Sequence, residues 1–163
     1  MAARAKRAEV GDHWVDAGPF RAQLRYLMAS GALSVEDVAA VVGISARLAD
    51  RLLYGRDGRP LRRISPDTAR RLIQISDQHV QALRRTMVPA APARLQLRRL
   101  YRAGWDDPAI AQRVRVAVPE LLELATGRDT CSLLLTVRLT AAARAEDSLR
   151  HRSRLGSRDD HAA

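Results

Sequence analysis

The chain has 163 residues, 28 of them basic and 18 acidic, for a formal net charge of +10; this points to an anionic partner such as nucleic acid, anionic lipid or an acidic protein. Its length suits one domain or two very small ones. With 4% aromatic residues and almost no β-branched alternation, the core has to come from Leu, Val, Ile and Ala on helices, so an all-α chain is expected.

No apolar run approaches the ~20 residues that span a bilayer, and the N-terminus lacks the apolar segment of a signal peptide. A membrane partner is therefore not expected, and the cytoplasm, at the nucleoid, is the expected location. Lys6 is the sole lysine among the basic residues. That bias fits forked hydrogen bonding by arginine, and equally a GC-rich genome.

Residues 1–14 hold Arg4, Lys6 and Arg7 without apolar periodicity. They read as a flexible basic arm able to follow phosphates and order on binding, or as a solubilising terminus. His13 has no neighbouring His or Cys, which argues against a ligand role. Pro19 opens the first clear helix, where its missing N–H costs nothing. Phe20, Leu24, Leu27 and Met28 mark the buried face, and Ser30-Gly31 ends it. Ser34 then caps a second helix, with Glu36 and Asp37 in the first turn where negative charge suits the helix dipole. Val38, Ala39 and Val42 form one apolar face; Leu48, Ala49, Leu52 and Leu53 form another. Between them Gly43 fits a left-handed turn, Ile44 plugs the angle and Ser45 caps the following helix. Ala39 is small, as a close helix crossing requires. Val35–Tyr54 thus reads as a helix-turn-helix, against the plainer alternative of an αα-hairpin in a core.

Gly55 to Arg63 contains two glycines, a proline and Arg56, Arg59, Arg62 and Arg63, and reads as a loop with a short ribbon. Ser65-Pro66 starts another helix with Ser65 as N-cap. Ala69, Leu72, Ile73 and Ile75 supply its stripe, and it is expected to run on, bent near Ser76, through Val80 and Leu83. Residues 15–85 would form one compact four- or five-helix domain.

Residues 86–93, TMVPAAPA, read as a proline- and alanine-rich linker. Beyond it the pattern returns: RAQLRYLMASG at Arg21–Gly31 matches RLQLRRLYRAG at Arg94–Gly104. With one residue removed from the next loop, Val38-Ala39 falls on Ile110-Ala111, Val42 on Val114, Ile44 on Val116 and Leu52 on Leu124. Gly55-Arg56-Asp57 falls on Gly127-Arg128-Asp129, and Arg63-Ile64-Ser65 lies near Arg138-Leu139-Thr140. Residues 94–145 are therefore expected to be a second copy of the first domain, the alternative being chance likeness of two alanine-rich helical stretches. Cys131, the single cysteine, excludes an internal disulfide and a cysteine-rich metal site, and beside Leu133, Leu134 and Leu135 it reads as a buried, inert thiol. Residues 146–163 lack periodicity and read as a disordered tail.

FRAQLRYLMASG, VEDVAAVVGISARLADRLLYGR and RRISPDTARRL in the first half resemble the lambda-repressor-like helix-turn-helix domains. With RLQLRRLYRAGW and VRLTAAARA in the second half, the chain is more closely similar to the tandem helix-turn-helix proteins of actinobacteria and their phages. The resemblance covers about residues 15–85 well and 94–145 loosely, and implies a four- or five-helix DNA-binding bundle with a regulatory role. The expected fold is two tandem helix-turn-helix bundles, the second a degenerate copy, between disordered basic termini.

In the docking geometry of this motif the second helix enters the major groove. Its face carries Ser45, Ala46, Arg47, Asp50 and Arg51, the candidate base contacts, then Tyr54. Arg47 and Arg51, at i and i+4, share one face, and each can fork onto guanine O6 and N7. Asp50 can accept from a cytosine amine or hold one of the arginines. Tyr54, Arg56, Arg59, Arg62 and Arg63 are the candidate phosphate contacts, giving affinity and salt dependence rather than sequence choice. The second copy presents Ala117, Val118, Pro119, Leu122, Glu123 and Thr126 with Glu120 nearby. Two glutamates and no arginine there oppose groove entry, so Val118 and Leu122 are the candidate protein interface, through the first copy or a homodimer. Arg115 stands where the turn needs glycine, which puts that turn in question. Arg98, Arg99 and Arg102 can still touch a DNA backbone.

The expected function is a sequence-specific, double-stranded-DNA-binding transcriptional regulator, not an enzyme, with no cofactor and no metal. His13, His79, His151 and His161 are scattered, and no nucleophile motif or phosphate-cradling glycine loop occurs. The rivals are an antitoxin-like protein–protein adaptor built on the same scaffold and a nonspecific architectural DNA coater.

Overall fold

The structure, a computed structural model, describes residues 14–56 and 58–159. The expected arm lies outside them except for Trp14, and so do His161 and the end of the tail. Among the described residues the chain is mostly helical, with nine helices and four strands of two or three residues; it is all-α. It divides into two compact units, Met1–Val80 and Gln81–Ala163.

The first unit runs β1 (Val15–Asp16), α1 (Gly18–Gly31), α2 (Val35–Val42), α3 (Ala46–Leu53), β2 (Arg63–Ile64) and α4 (Pro66–Ile73), then the start of α5 (Asp77–Arg85). Serine sets most of these starts. The hydroxyls of Ser34, Ser45 and Ser65 accept from the backbone N–H of Asp37, Leu48 and Thr68, each cap contributing about 1 kcal/mol. Asp37 also accepts from the Ser34 N–H at 3.0 Å, completing a reciprocal capping box. α1 packs on α2, α3 and α4 and buries Leu24 and Leu27 with Val38, Ala39, Leu52, Ile64 and Leu72. Each full leucine burial stabilises by roughly 1.5–3 kcal/mol before entropy is subtracted. β1 and β2 pair antiparallel, Val15 opposite Ile64, and the Ala17 N–H donates to the Arg62 carbonyl at 2.9 Å.

α1 ends at Ser30-Gly31 as the sequence predicts, though not through a left-handed glycine, while the end of α4 differs from expectation. Gly31 is the last residue of α1, and Ala32 takes the left-handed conformation at φ 47°. Glycine at 31 serves packing instead: a Cβ there would meet Leu33 at 2.9 Å and Val80 at 3.0 Å. Nor does α4 run on as one bent helix. It stops at Ile73, and α5 starts afresh at Asp77 after Ser76, whose hydroxyl meets His79 Nδ1 at 2.9 Å.

The second unit runs β3 (Met87–Pro89), α6 (Ala91–Arg102), α7 (Asp107–Val114), α8 (Val118–Thr126), β4 (Thr130–Ser132) and α9 (Leu133–Asp159). Leu97, Leu100, Ile110, Val114, Leu121, Leu124 and Leu139 form its core, with Cys131 buried among them. Three expectations are corrected here. Residues 86–93 are not a linker: Val88 pairs with Cys131 in an antiparallel ribbon, the Ala90 N–H donates to Asp129 at 2.8 Å, and α6 has begun by Ala91. Residues 146–159 are helical rather than disordered, because α9 continues through them. Glu146 accepts from Arg150 at 2.8 Å and from the Trp105 indole at 3.3 Å, while Arg150 also donates to the Ala103 carbonyl. Finally, Arg63-Ile64-Ser65 corresponds to Thr130-Cys131-Ser132 and not to Arg138-Leu139-Thr140, which sets Arg128 and Asp129 against Leu61 and Arg62 rather than Arg56 and Asp57. The strand pairing sets this register, and Ser132 caps Leu135 at 3.2 Å as Ser65 caps Thr68.

Both units thus follow the order strand, three helices, strand, helix. The turn after α7 forms despite lacking glycine. Arg115 adopts φ 56°, and the Val116 N–H donates to Ala111 at 3.1 Å, as Ile44 does to Ala39 at 2.9 Å.

Candidate nucleic-acid interface

α3 turns Ala49, Leu52 and Leu53 inward. The 3.6-residue period therefore sends Ala46, Arg47, Asp50 and Arg51 outward, and all four are exposed. Among the described residues no side-chain hydrogen bond or ion pair engages Arg47, Asp50 or Arg51, so the aspartate does not hold either arginine. Ser45 spends its acceptor on the Leu48 N–H at 3.1 Å, leaving its hydroxyl proton available to an outside acceptor. α3 has no acidic residue in its first turn, unlike α2 and α4. Its positive dipole end is thus not offset by a carboxylate of its own, which suits an approaching phosphate.

The other end of α3 is clamped by arginines that sequence reasoning missed. Arg21 Nε donates to the Leu52 carbonyl at 2.8 Å and Nη2 to the Leu61 carbonyl at 2.6 Å. Arg25 reaches the Leu53 carbonyl at 3.4 Å. Cations on terminal carbonyls satisfy the helix end and favour its dipole. One guanidinium therefore staples the end of α3 to the loop carrying the four candidate phosphate arginines. At the front, Arg71 of α4 donates to the Gly43 carbonyl at 2.7 Å and pairs with Asp67 at 2.9 Å, fixing the turn between α2 and α3. Backbone acceptors carry no side-chain signature, but one signal existed. Arg94 occupies the place of Arg21 in the matching segment and donates to the Arg128 carbonyl at 2.6 Å, the counterpart of Leu61.

Tyr54 caps the C-terminal end of α3 and is 57% exposed. Gly55 follows at φ 80°, where a Cβ would stand 2.1 Å from the Arg59 carbonyl oxygen, so only glycine lets the chain cross itself here. Arg56 and Arg59 exchange backbone hydrogen bonds of 3.1 and 3.0 Å, closing a tight hairpin, and Arg63 pairs with Asp16 in the ribbon. The side chains of Arg56, Arg59, Arg62 and Arg63 are exposed.

The second unit offers a different surface. Val118 is half-buried against that unit's own core, whereas Leu122 is 43% exposed. Glu123 pairs with Arg128 at 3.4 Å, and the Thr126 hydroxyl is turned onto the Leu122 and Glu123 carbonyls of its own helix. Glu120 stands in the first turn of α8. Of the two apolar residues expected at an interface, only Leu122 faces outward. Arg98, Arg99 and Arg102 are exposed on α6.

Among the described residues no cluster of three or more His, Cys, Asp or Glu is arranged to hold a metal, and no described helix is long and apolar enough to cross a membrane. Comparison with protein-family models, curated proteins and solved structures gives no match.

Proposed function

We propose that the protein is a sequence-specific regulator that binds double-stranded DNA, with α3 as the helix that enters the major groove. The reading extends to a tandem helix-turn-helix architecture of the lambda-repressor-like kind, in which the second unit is a degenerate copy. The observation that carries it is the state of Arg47 and Arg51. Both are exposed and uncommitted among the described residues, on a helix braced at both ends by Arg21, Arg25 and Arg71. Rigid presentation of forked donors is what base reading requires. Tyr54, Arg56, Arg59, Arg62 and Arg63 then hold phosphates beside the groove, and Ser45 and Ala46 stand closest to base edges at the start of α3.

Selection of bound duplexes from a random pool, followed by variant binding, tests this. Arg47→Ala or Arg51→Ala relaxes sequence preference by ~1–3 kcal/mol, whereas Arg62→Ala weakens all duplexes alike and lowers the salt slope by about 1. Equal losses on selected and random duplex for all three variants sink the base-reading assignment.

A second reading rests on Leu122. Its exposure beside a salt-bridged Glu123 fits contact with another protein, and a homodimer through the second unit is compatible with DNA binding. Leu122→Glu then lowers the apparent mass in size-exclusion chromatography; an unchanged elution excludes this contact.

A further inference from the structure

Where β1 meets β2, the first unit holds an open cleft of about 950 Å³ to which α3 contributes nothing. Trp14, just ahead of β1, lines it and is 58% exposed as a residue. Arg59, Arg62 and Arg63 line it from the hairpin and β2, and Arg21 reaches it while bound to Leu52 and Leu61. Among the described residues Asp16 is its one acidic lining residue. One carboxylate oxygen accepts from the Gly18 N–H at 3.2 Å, and the second remains an acceptor.

These groups divide into two kinds of recognition. An indole left in water is a stacking plate for any planar π-system. Guanidinium forks match phosphate oxygens. A bare anion would leave the indole unused, and an aromatic without charge would leave the arginines unused. The volume lies at the upper end of the range for small-ligand sites.

We propose that this cleft binds a nucleotide, its base stacked on Trp14 and its phosphate held by Arg59, Arg62 and Arg63, with Asp16 accepting from a base amine or ribose hydroxyl. The nucleotide is either free or an unpaired nucleotide of a strand; the chemistry recognised is the same. The cleft shares Arg59, Arg62 and Arg63 with the proposed phosphate contacts to duplex but not Trp14 or the α3 face, so Trp14→Ala tests the cleft alone and Arg47→Ala and Arg51→Ala test duplex reading alone.

The chain has two tryptophans, so Trp105→Phe leaves Trp14 as the sole indole reporter. AMP, a twelve-residue oligodeoxyadenylate and inorganic phosphate are titrated against that variant. Saturable quenching by AMP or by the oligonucleotide, at concentrations about tenfold below those at which phosphate acts, is the expected result. Quenching by AMP alone identifies a free nucleotide, and by the oligonucleotide alone a strand. In the otherwise unchanged full chain, Trp14→Ala lowers affinity for a fluorescent version of the successful probe by about tenfold, Trp14→Phe retains it, and Arg59→Ala with Arg62→Ala lowers it again. Circular dichroism stays unchanged throughout. The proposal is overturned by absence of saturable binding, by phosphate acting as strongly as the nucleotide probes, or by full affinity in Trp14→Ala.

Discussion

Arg71 and Arg138, each six residues past a capping serine, reach back to neighbouring points at the end of the second helix in their respective units, Arg71 to the residue after it and Arg138 to its last residue. Arg71 donates to the Gly43 carbonyl at 2.7 Å from an exposed position, and Arg138 to the Val114 carbonyl at 3.2 Å while 8% exposed. Both tie the last helix of the motif to the end of its second helix. Their surroundings set different energetic weights. Arg71 sits in solvent beside Asp67, where ion pairs contribute at most about 1 kcal/mol. Arg138 stands in place of surface with a buried bond from a charged donor, worth about 1.5–3 kcal/mol. Arg138→Ala is therefore expected to destabilise the second unit by about 2–3 kcal/mol and Arg71→Ala the first by under about 1 kcal/mol. Urea unfolding followed at Trp105 and at Trp14 separates the two; comparable losses would contradict this weighting.

The units exchange their glycines. α1 runs one residue longer than the sequence match to Arg94–Gly104 implies, so Ala32, left-handed at φ 47°, takes the turn place that Gly104 holds at φ 89° in the second unit. Each is followed by an N–H donating five residues back. Arg115 is left-handed at φ 56° where the first unit has Gly43 at φ 75°. A side chain in that region costs roughly 1–2 kcal/mol. Ala32→Gly is expected to recover about 0.5–1 kcal/mol net of the added unfolded-chain entropy, and Gly43→Ala to lose about 1–2 kcal/mol. Gly31→Ala, one residue away, acts in the opposite sense to Ala32→Gly because its Cβ would press on Leu33 and Val80. Thermal melts of the three variants check the order.

α8 begins without a side-chain cap at Ala117, where α3 has Ser45. Glu120 already stands at the third helical position, from which an acidic side chain reaches back to the cap. Ala117→Ser therefore creates a complete capping box and is expected to stabilise the second unit by about 1 kcal/mol. A urea midpoint no higher than that of the parent protein would refute it.

Burial, aided by the hydrogen bond of 2.6 Å to Asp107, pushes the Tyr101 phenol up to about 12. The folded state thus holds this proton more tightly than the unfolded chain, whose phenol titrates near 10. Its contribution is fully present below pH 10 and is lost as pH rises toward about 12. Tyr101→Phe is expected to flatten that alkaline decline in second-unit stability while leaving neutral-pH folding intact. Urea midpoints followed at Trp105 across the window read the difference.

Much of the first unit was legible because its signals are local. Ser34, Ser45 and Ser65 announce helix starts within three residues of where they act, and the period of Ala49, Leu52 and Leu53 fixes which face of α3 looks outward. What escaped depends on long-range or backbone partners. Strands of two or three residues show no period, so Met87–Pro89 looked like a proline-rich spacer until Cys131 paired with Val88. Arg21 and Arg25 act through carbonyls that any residue supplies. The region after Ala145 lacks an apolar stripe, yet Glu146 secures it through Trp105 and Arg150. Val118 was expected outside because its own unit's core was not visible as a partner.

The loop after α3 spans residues 55–62, whereas its counterpart after α8 spans 127–129 and still delivers a closed ribbon. The short version demonstrates that the scaffold folds with minimal connection, so the five additional residues are an accessory. Because loop-closure entropy changes only slowly with length, such an insertion is nearly neutral for folding while adding cationic side chains beside the cleft and α3. Charge density here is therefore a detachable trait. It can lengthen, shorten or change sign by small insertions and deletions, leaving the helical framework and the presentation of Arg47 and Arg51 untouched.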